Sequence, residues 1–487
     1  MTLRFTLNGV PTDAGHPPPW TTLLDHLRAT GRCGTKEGCA EGDCGACTVL
    51  LVDRTGPAPR LRATNACLTL LPQVAGQEVV TAEGLGSPAA LHPVQAALAT
   101  ALGSQCGYCT PGFVCALAEA AHRPALRAPE AEAARRDALS GNLCRCTGYR
   151  PIVDALRAVA GSCPDDVLAA AVARPGAAGA VELPTAEGGF FAPDTLAGLW
   201  ALRAAHPGAR LVAGATDLGL DITQKHARPT VLIGLDRLPA LRGLRVEGGA
   251  VVLGAAEPLA DVEDFAAEAL PELARMLRYF GSRPIKQRAT LGGNLVTASP
   301  IGDTAPVFLA LDATFTLVGP GGSRAVAAAD FFRAYRQTAL QPDEVLAAVR
   351  VPVPRPGEKR GVYKLSRRKE MDISAVSLAG WVRLDAAGGV VDARLAYGGM
   401  AATPARARAA EAVLRGQPWG PAAATAAGAA LDADFSPLSD HRGSAAFRRT
   451  AARNLLLGFA LETAGAADFV PLPPQHTGTV VLDGAPR

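Results

Sequence analysis

Gly38-Cys39-Ala40-Glu41-Gly42-Asp43-Cys44-Gly45-Ala46-Cys47 is the stretch that decides how this chain is read. Three thiols spaced C-x4-C-x2-C stand among three glycines, and Cys67 follows after nineteen intervening residues. This is the plant-type spacing for a [2Fe–2S] cluster. Three thiolates on one loop need a backbone that folds around two irons, and Gly38, Gly42 and Gly45 supply the positive φ angles and close approach. The loop's N–H groups can then point at the sulfides and tune the potential. The alternatives are a structural zinc site or unrelated buried thiols. Zinc usually takes paired C-x2-C knuckles, which a four-residue gap in a glycine-rich loop fits poorly.

A second set reads Cys106-x2-Cys109, then Cys144-x-Cys146. Each pair precedes a predicted helix, where unpaired N–H groups and the helix dipole stabilise thiolates. Cys109-Thr-Pro-Gly-Phe113 and Cys146-Thr-Gly-Tyr-Arg-Pro151 look alike, which suggests a local two-fold. Spacing alone leaves two readings open here. Paired cysteines suit zinc, whereas the short C-x-C argues for iron and sulfide. Cys33, Cys115 and Cys163 are left over; Cys115 lies on an apolar helix and reads as a buried structural thiol, and Cys163 sits at a linker edge.

The rest of the sequence sets the frame. At about 150 residues per domain, 487 residues imply roughly three domains. Hydrophobic residues make up 48% and charged residues 19%, a globular composition that excludes collagen, coiled-coil rods and wholesale disorder. A net charge of +3 with interspersed signs gives no argument for nucleic acid or a membrane surface. No apolar run approaches a membrane span, and the N-terminus reads as a strand, not a signal peptide. The expected location is the cytoplasm, where clustered thiols mean metal or redox chemistry.

Residues 1–84 read as a small mixed domain: Leu3, Phe5 and Leu7 alternate before an Asn8-Gly9 turn, Thr21 to Ala29 forms a helix, and Cys47–Val52 and Glu78–Thr81 form strands. Residues 85–160 give four helices, near 93–102, 111–122, 129–139 and 151–160, each opened by proline. Residues 161–183 read as a linker. Residues 184–355 alternate strands and helices, with a hairpin at Leu244–Gly254 around Gly248-Gly249. Residues 356–470 read as an α+β unit with strands near 375–384 and 390–397 and three helices, the last near 443–463. Residues 471–487 read as an extended tail.

No strand leads into G-x-G-x-x-G, and there is no G-x-x-x-x-G-K-[ST], so Rossmann and P-loop readings are disfavoured. Two other small-residue loops stand out: Leu211 to Leu218, and Thr290 to Asn294 followed by Ser299 to Asp303. Small residues let backbone N–H groups reach a pyrophosphate. Singly each loop is an ordinary turn; together, beside two candidate electron carriers, they point to a redox nucleotide. Phe280 follows the apolar face of helix 272–279 and reads equally as core, Tyr335 and Lys364 are isolated polar groups, and Arg367-Arg368-Lys369 reads as a solvated basic turn. The eight histidines show no metal spacing.

Three stretches carry a family resemblance: Gly34 to Cys47, Gln105-Cys-Gly-Tyr-Cys-Thr-Pro-Gly112 and Gly141-Asn-Leu-Cys-Arg-Cys-Thr-Gly-Tyr149 resemble the molybdenum hydroxylase family, and the two later loops are similar to that family's flavin domain. The order resembles the small, iron–sulfur and flavin subunit of bacterial xanthine dehydrogenases; the carbon monoxide dehydrogenase type usually splits these parts between two subunits. The resemblance implies an α+β multidomain chain: a plant-ferredoxin-like β-grasp domain, a four-helix [2Fe–2S] domain, a non-Rossmann α+β FAD-binding domain and a C-terminal α+β domain.

It implies one [2Fe–2S] cluster on Cys39, Cys44, Cys47 and Cys67 and another on Cys106, Cys109, Cys144 and Cys146. It also implies FAD contacts from Leu211, Val212, Ala213, Gly214, Ala215, Thr216, Asp217, Leu218, Thr290, Leu291, Gly292, Gly293, Asn294, Asp303, Leu346 and Lys364. Phe280 would lie against the isoalloxazine and Tyr335 near the nicotinamide. The stretch Lys364 to Asp372 is a residue longer than in some relatives, so the nicotinamide contacts stay open. The implied activity is electron relay without catalytic side chains at the purine. Electrons from xanthine or hypoxanthine, oxidised toward urate at a molybdenum cofactor on a large partner subunit, would pass through the clusters and FAD to NAD+, in a dimer of heterodimers. The alternatives are the same relay for an aldehyde or N-heterocycle hydroxylase, a free-standing NADH-dependent reductase, or a non-enzymatic iron–sulfur module.

Overall fold

The alternation Leu3, Phe5, Leu7 becomes strand β1 (Arg4–Leu7), which turns through Asn8 (φ 52°) and Gly9 (φ 78°) into β2 (Val10–Asp13). Positive φ at both central residues is the turn geometry that matches strand twist. The computed structural model describes residues 2–176, 179–368 and 371–465. Within these, α1 (Leu23–Ala29) buries Leu23, Leu24 and Leu27, and Thr22 and Asp25 cap it reciprocally. β3 (Thr48–Asp53), β4 (Arg60–Asn65) and β5 (Glu78–Val80) complete a five-stranded sheet of order β2-β1-β5-β3-β4, with β1 and β5 parallel.

Every residue of β3 is buried because both of its faces are covered. Val49 and Leu51 join the core of Leu3, Leu23 and Leu27, whereas Leu50 joins a second core with Phe113 and Leu117. That double burial is why Val49–Val52 reads as a continuous apolar run.

The second core is helical: α2 (Pro93–Thr100), α3 (Thr110–Ala121), α4 (Glu132–Ala138) and α5 (Arg150–Val159). Pro93, Pro111 and Pro151 occupy the first helical turns as expected. The 129–139 helix starts later: Pro129 opens only a 3-10 turn, Pro129–Ala131. Residues 161–183, expected as a linker, carry helix α6 (Val167–Ala173), whose stripe of Leu168 and Ala171 is too short to show as periodicity. Arg54 Nη2 donates to the carbonyls of Ala171 (2.7 Å) and Arg174 (3.0 Å) at its C-terminus.

β6 (Val181–Thr185), β7 (Gly188–Ala192), α7 (Leu196–Ala205), β8 (Arg210–Val212), α8 (Leu218–Thr223) and β9 (Val231–Gly234) follow. Their sheet has the order β6-β7-β9-β8, and its parallel pairs β7–β9 and β8–β9 use α7 and α8 in the crossovers. The described chain divides into two compact units, 2–240 with 282–290 and 241–281 with 291–465, so the segment 184–355 is shared between them.

In the second unit, β10 (Leu244–Glu247) and β11 (Ala250–Gly254) form the expected hairpin, turning at Gly248 (φ 53°) and Gly249 (φ 71°). Helices α9 (Leu259–Ala269), α10 (Pro271–Arg278), α11 (Leu291–Val296) and α12 (Thr304–Ala310) come next. With β12 (Thr314–Gly319), β13 (Gly322–Ala327) and β14 (Val345–Pro352) the hairpin builds an antiparallel sheet of order β10-β11-β14-β12-β13. A second antiparallel sheet holds β15 (Glu358–Leu365), β16 (Val376–Leu384) and β17 (Val390–Gly398). Helices α13 (Arg408–Leu414), α14 (Pro421–Asp434) and α15 (Ala445–Thr463) pack a core with Tyr363, Leu378, Tyr397 and Phe459. The expected tail 471–487, the end of 356–470 and Lys369 lie outside the described residues. Among the described residues no helix is long and apolar enough to cross a membrane.

Candidate functional site

The first four thiols sit on the loop entering β3 and on the turn after β4. The N–H groups of Glu41, Asp43 and Cys44 donate to Cys39 Sγ at 3.4, 3.3 and 3.3 Å. A hydrogen bond shared with Cys44, helped by these amides, draws the Cys39 thiol down to about 5, and the same bond pushes Cys44 up. Cys47 and Cys67 form a second buried pair: their shared hydrogen bond lowers Cys47 and raises Cys67. The charge of Cys39 reaches both. The glycines are tight where the loop demands it. A Cβ on Gly38 would stand 2.7 Å from Cys44 Sγ, and Gly42 (φ 85°) would place one 2.7 Å from Leu68 Cδ1.

The second four thiols stand just before the N-termini of α3 and α5. Cys109 occupies the N-cap position of α3, and burial, then the hydrogen bond with Cys144, pushes it up to about 12. Burial works against the Cys144 thiolate, but Thr147, through its hydroxyl (3.2 Å) and its N–H (3.5 Å), keeps that thiol lowered. Cys106 and Cys146 form the exposed pair, joined by a hydrogen bond that raises Cys146. Among the described residues no three Cys, His, Asp or Glu side chains gather around a single ion. The sulfurs stand two and two in each set. A tetrahedral zinc draws four thiolates to one point, whereas two sulfide-bridged irons take two thiolates each. The pairing fits the two-iron group in both sets, and in the first the amides aimed at Cys39 and the cramped glycines fit it as well. Cys115 is fully buried and burial pushes it up to about 12, as a structural thiol; Cys33 and Cys163 are exposed.

The small-residue loops are equally constrained. In the first unit, Leu211 and Val212 end β8, and Ala213 carbonyl accepts from Gln73 Nε2 at 2.7 Å. A Cβ on Gly214 would stand 1.8 Å from the Arg288 carbonyl, so only glycine lets this loop lie on the segment that leads to Thr290. Ala215 takes a left-handed φ of 63°, Thr216 and the exposed Asp217 follow, and the buried Leu218 opens α8. Gln224, just past α8, donates to the carbonyls of Cys39 and Ala40 at 3.2 Å each.

In the second unit, the N–H groups of Leu291 and Gly292 donate to Glu257 (3.1 Å) and Ala255 (2.7 Å) carbonyls, and Gly293 is exposed beside them. Asn294 accepts from Thr304 Oγ1, which follows Asp303. Asp303 and Lys364 are buried together: Lys364 Nζ donates to Asp303 Oδ2 (2.8 Å) and to the Tyr279 carbonyl (2.9 Å), beside the half-exposed Phe280. Ser374 donates to the other carboxylate oxygen of Asp303. Leu346 is buried in β14 opposite Leu317, and Tyr335 is 59% exposed at the turn between strands Phe332–Ala334 and Gln337–Thr338. Neither enters that hydrogen-bonded group among the described residues. Sequence reasoning missed Ser374, Thr304, Gln73 and Gln224. Only Thr304 carried a signal, its position after Asp303.

Comparison with known proteins agrees with this layout. Family models match in order: a 2Fe-2S iron-sulfur cluster binding domain at 5–71, a [2Fe-2S] binding domain at 81–157, the FAD binding domain in molybdopterin dehydrogenase at 185–354 and the CO dehydrogenase flavoprotein C-terminal domain at 361–463. A carbon monoxide dehydrogenase structure from Hydrogenophaga pseudoflava is 31% identical with a TM-score of 0.54, over 58% of this chain and 98% of that one. Quinoline 2-oxidoreductase from Pseudomonas putida 86 is 25% identical with a TM-score of 0.53, over 59% of this chain and 100% of that one. The chain belongs to the molybdenum hydroxylase family and corresponds to its iron–sulfur and flavin part. It carries two [2Fe–2S] domains and an FAD-binding domain. Among curated relatives, xanthine dehydrogenase from Emericella nidulans is 33% identical over 94% of this chain and 38% of its own length. The enzyme from Oryza sativa subsp. japonica is 34% identical over 82% and 35%. The chain thus spans little more than a third of these relatives.

Proposed function

We propose that this chain is the electron-transfer part of a xanthine dehydrogenase, accepting electrons from hypoxanthine or xanthine oxidised at a molybdenum centre on a partner chain and delivering them to NAD+. The observation that carries the reading is the two-and-two pairing of thiols in both cysteine sets, in a chain that aligns over 94% of its length with a curated xanthine dehydrogenase. When bound, the clusters supply one-electron carriers and the flavin a two-electron hydride donor. Cys39, Cys44, Cys47 and Cys67 would hold one cluster, and Cys106, Cys109, Cys144 and Cys146 the other. The FAD contacts that the family resemblance implies, Leu211 to Leu218, Thr290 to Asn294, Asp303, Leu346 and Lys364, with Phe280 and Tyr335, are part of the same proposal. The chain's own work is to space and shield these groups. The domain limits 1–84, 85–160, 184–355 and 356–470, a cytoplasmic location and a dimer of heterodimers with the molybdenum-bearing chain belong to the same proposal.

The test is Cys44→Ser in the full chain with its partner. One of two distinct iron signals in electron paramagnetic resonance should vanish, and NADH formation from xanthine should stop. Retention of both signals would refute the ligand assignment. A second reading, the same relay serving another molybdenum hydroxylase, is favoured by the likeness to carbon monoxide dehydrogenase and quinoline 2-oxidoreductase structures. Purified complex that turns over an aldehyde or N-heterocycle and leaves xanthine untouched would select it.

A further inference from the structure

The two cysteine loops meet backbone to backbone, and one side chain stitches them. Gly45, directly after Cys44, has a φ of 69°, and a Cβ there would stand 2.1 Å from the Gly141 carbonyl. A Cβ on Gly112, three residues after Cys109, would stand 2.2 Å from the Gly45 carbonyl. Between them Asn142 is only 3% exposed. With its amide nitrogen turned inward, Asn142 shares its two N–H protons among the carbonyls of Gly45 (3.1 Å) and Gly112 (3.3 Å) and Thr48 Oγ1 (3.3 Å). Thr48 Oγ1 in turn donates to the Gly45 carbonyl at 2.7 Å. One residue later, the Leu143 N–H donates to the Cys44 carbonyl at 2.9 Å.

That last bond is a direct connection between a thiol of the first set and one of the second. From Cys44 Sγ the path runs through its own Cβ, Cα and carbonyl, across one hydrogen bond, and along the backbone of Leu143 to Cys144. A buried amide that clamps three acceptors fixes the geometry of everything attached to it, because breaking it leaves buried polar groups unpaired. The glycines on either side serve the same end: no larger residue allows the two backbones to approach this closely.

We infer that Asn142 is a positioning residue for electron exchange between the two iron–sulfur sites, holding the Cys44 carbonyl against the Leu143 amide so that this hydrogen bond bridges them. The inference rests on the ligand assignment proposed above. Each event moves one electron: the site on the Cys144 side is oxidised by one, the site on the Cys44 side is reduced by one, and no proton or covalent bond changes.

The experiment compares the full chain, loaded with its cofactors, with Asn142→Ala and Asn142→Asp, the latter isosteric but without a donor. A photoreduced deazaflavin supplies single electrons, and freeze-quenched paramagnetic resonance follows their redistribution between the two iron signals. Both variants should keep both signals and full iron content, while redistribution slows by up to about a hundredfold, the cost a 1 Å misplacement can carry. Asp166→Asn, which loosens the helical core away from this seam, should leave the rate unchanged. If neither Asn142 variant takes up both clusters, Thr48→Val removes one partner of the clamp and should slow redistribution less. Unchanged rates with intact signals would overturn the inference. A wild-type chain with fewer than two iron signals would instead sink the underlying ligand assignment.

Discussion

Lys364 and Asp303 show how much a single buried residue can decide. Both are almost fully buried, and the lysine bridges the carboxylate and the Tyr279 carbonyl. Removing one partner of such a pair leaves an uncompensated charge in a medium that cannot solvate it. Lys364→Met should therefore cost about 3–5 kcal/mol of stability in denaturant unfolding, and adding Asp303→Asn should recover part of it; no recovery would mean that the charge was never the issue. His26 makes the opposite case. Its imidazole packs edge-on against Phe5 with Nε2 buried and unpartnered, and burial holds its pKa below the ordinary 6.5. The unfolded chain binds this proton more readily, so stability is fully present above pH 6.5 and declines as pH falls through that value. The melting temperature measured from pH 7.5 to 5.5 should drop, and His26→Gln should flatten the drop.

At the scale of elements, three helix ends are tied to one carboxylate. Asp166 caps α6 through the N–H groups of Leu168 (2.8 Å) and Ala169 (3.0 Å). Its other oxygen accepts from His92 (2.7 Å), the N-cap of α2, and from His122 (3.0 Å), at the end of α3. His92 Nδ1 already accepts from Val94 N–H, so its Nε2 carries the proton that Asp166 takes. Asp166→Ala should cost roughly 1 kcal/mol for the lost cap and about 1–3 kcal/mol more for imidazole groups left without an acceptor. A thermal shift no larger than that of an ordinary cap would show that the histidines find water instead. This junction was illegible beforehand, because residues 92, 122 and 166 share no spacing that a local pattern can reveal.

At the scale of the whole molecule, the segment 282–290 belongs to the first unit although the chain on both sides of it belongs to the second. It is held by charge: Arg283 Nη2 meets Glu119 at 3.0 Å, Gln287 donates to the same oxygen at 3.2 Å, and Arg62 donates to Gln287 at 2.9 Å, all in the buried interior. Arg283→Met would leave the buried Glu119 with only the more distant Arg123, at 4.0 Å, as a cation. The expected result in calorimetry is a fall of about 3–5 kcal/mol in the first unit with the second unit's transition in place; a shift confined to the second unit would contradict the division. The family, the two iron–sulfur domains and the flavin domain are settled at this scale.

Much of this was legible in residues 39–47, 106–109 and 144–146, because a metal group imposes ligand type and spacing on the chain and glycine marks where backbones must crowd. Alternation likewise marked β1, and proline at the first helical turn marked the helices at 93, 111 and 151, because its fixed φ suits a helix start and costs no backbone hydrogen bond there. Contacts far apart in sequence were not legible. Which sulfurs pair, why Gly214 must lie under Arg288, how Asn142 joins two loops and why Lys364 is buried were decided by tertiary structure alone, because only folding brings a group and its partner within the few ångströms over which hydrogen bonds and charges act.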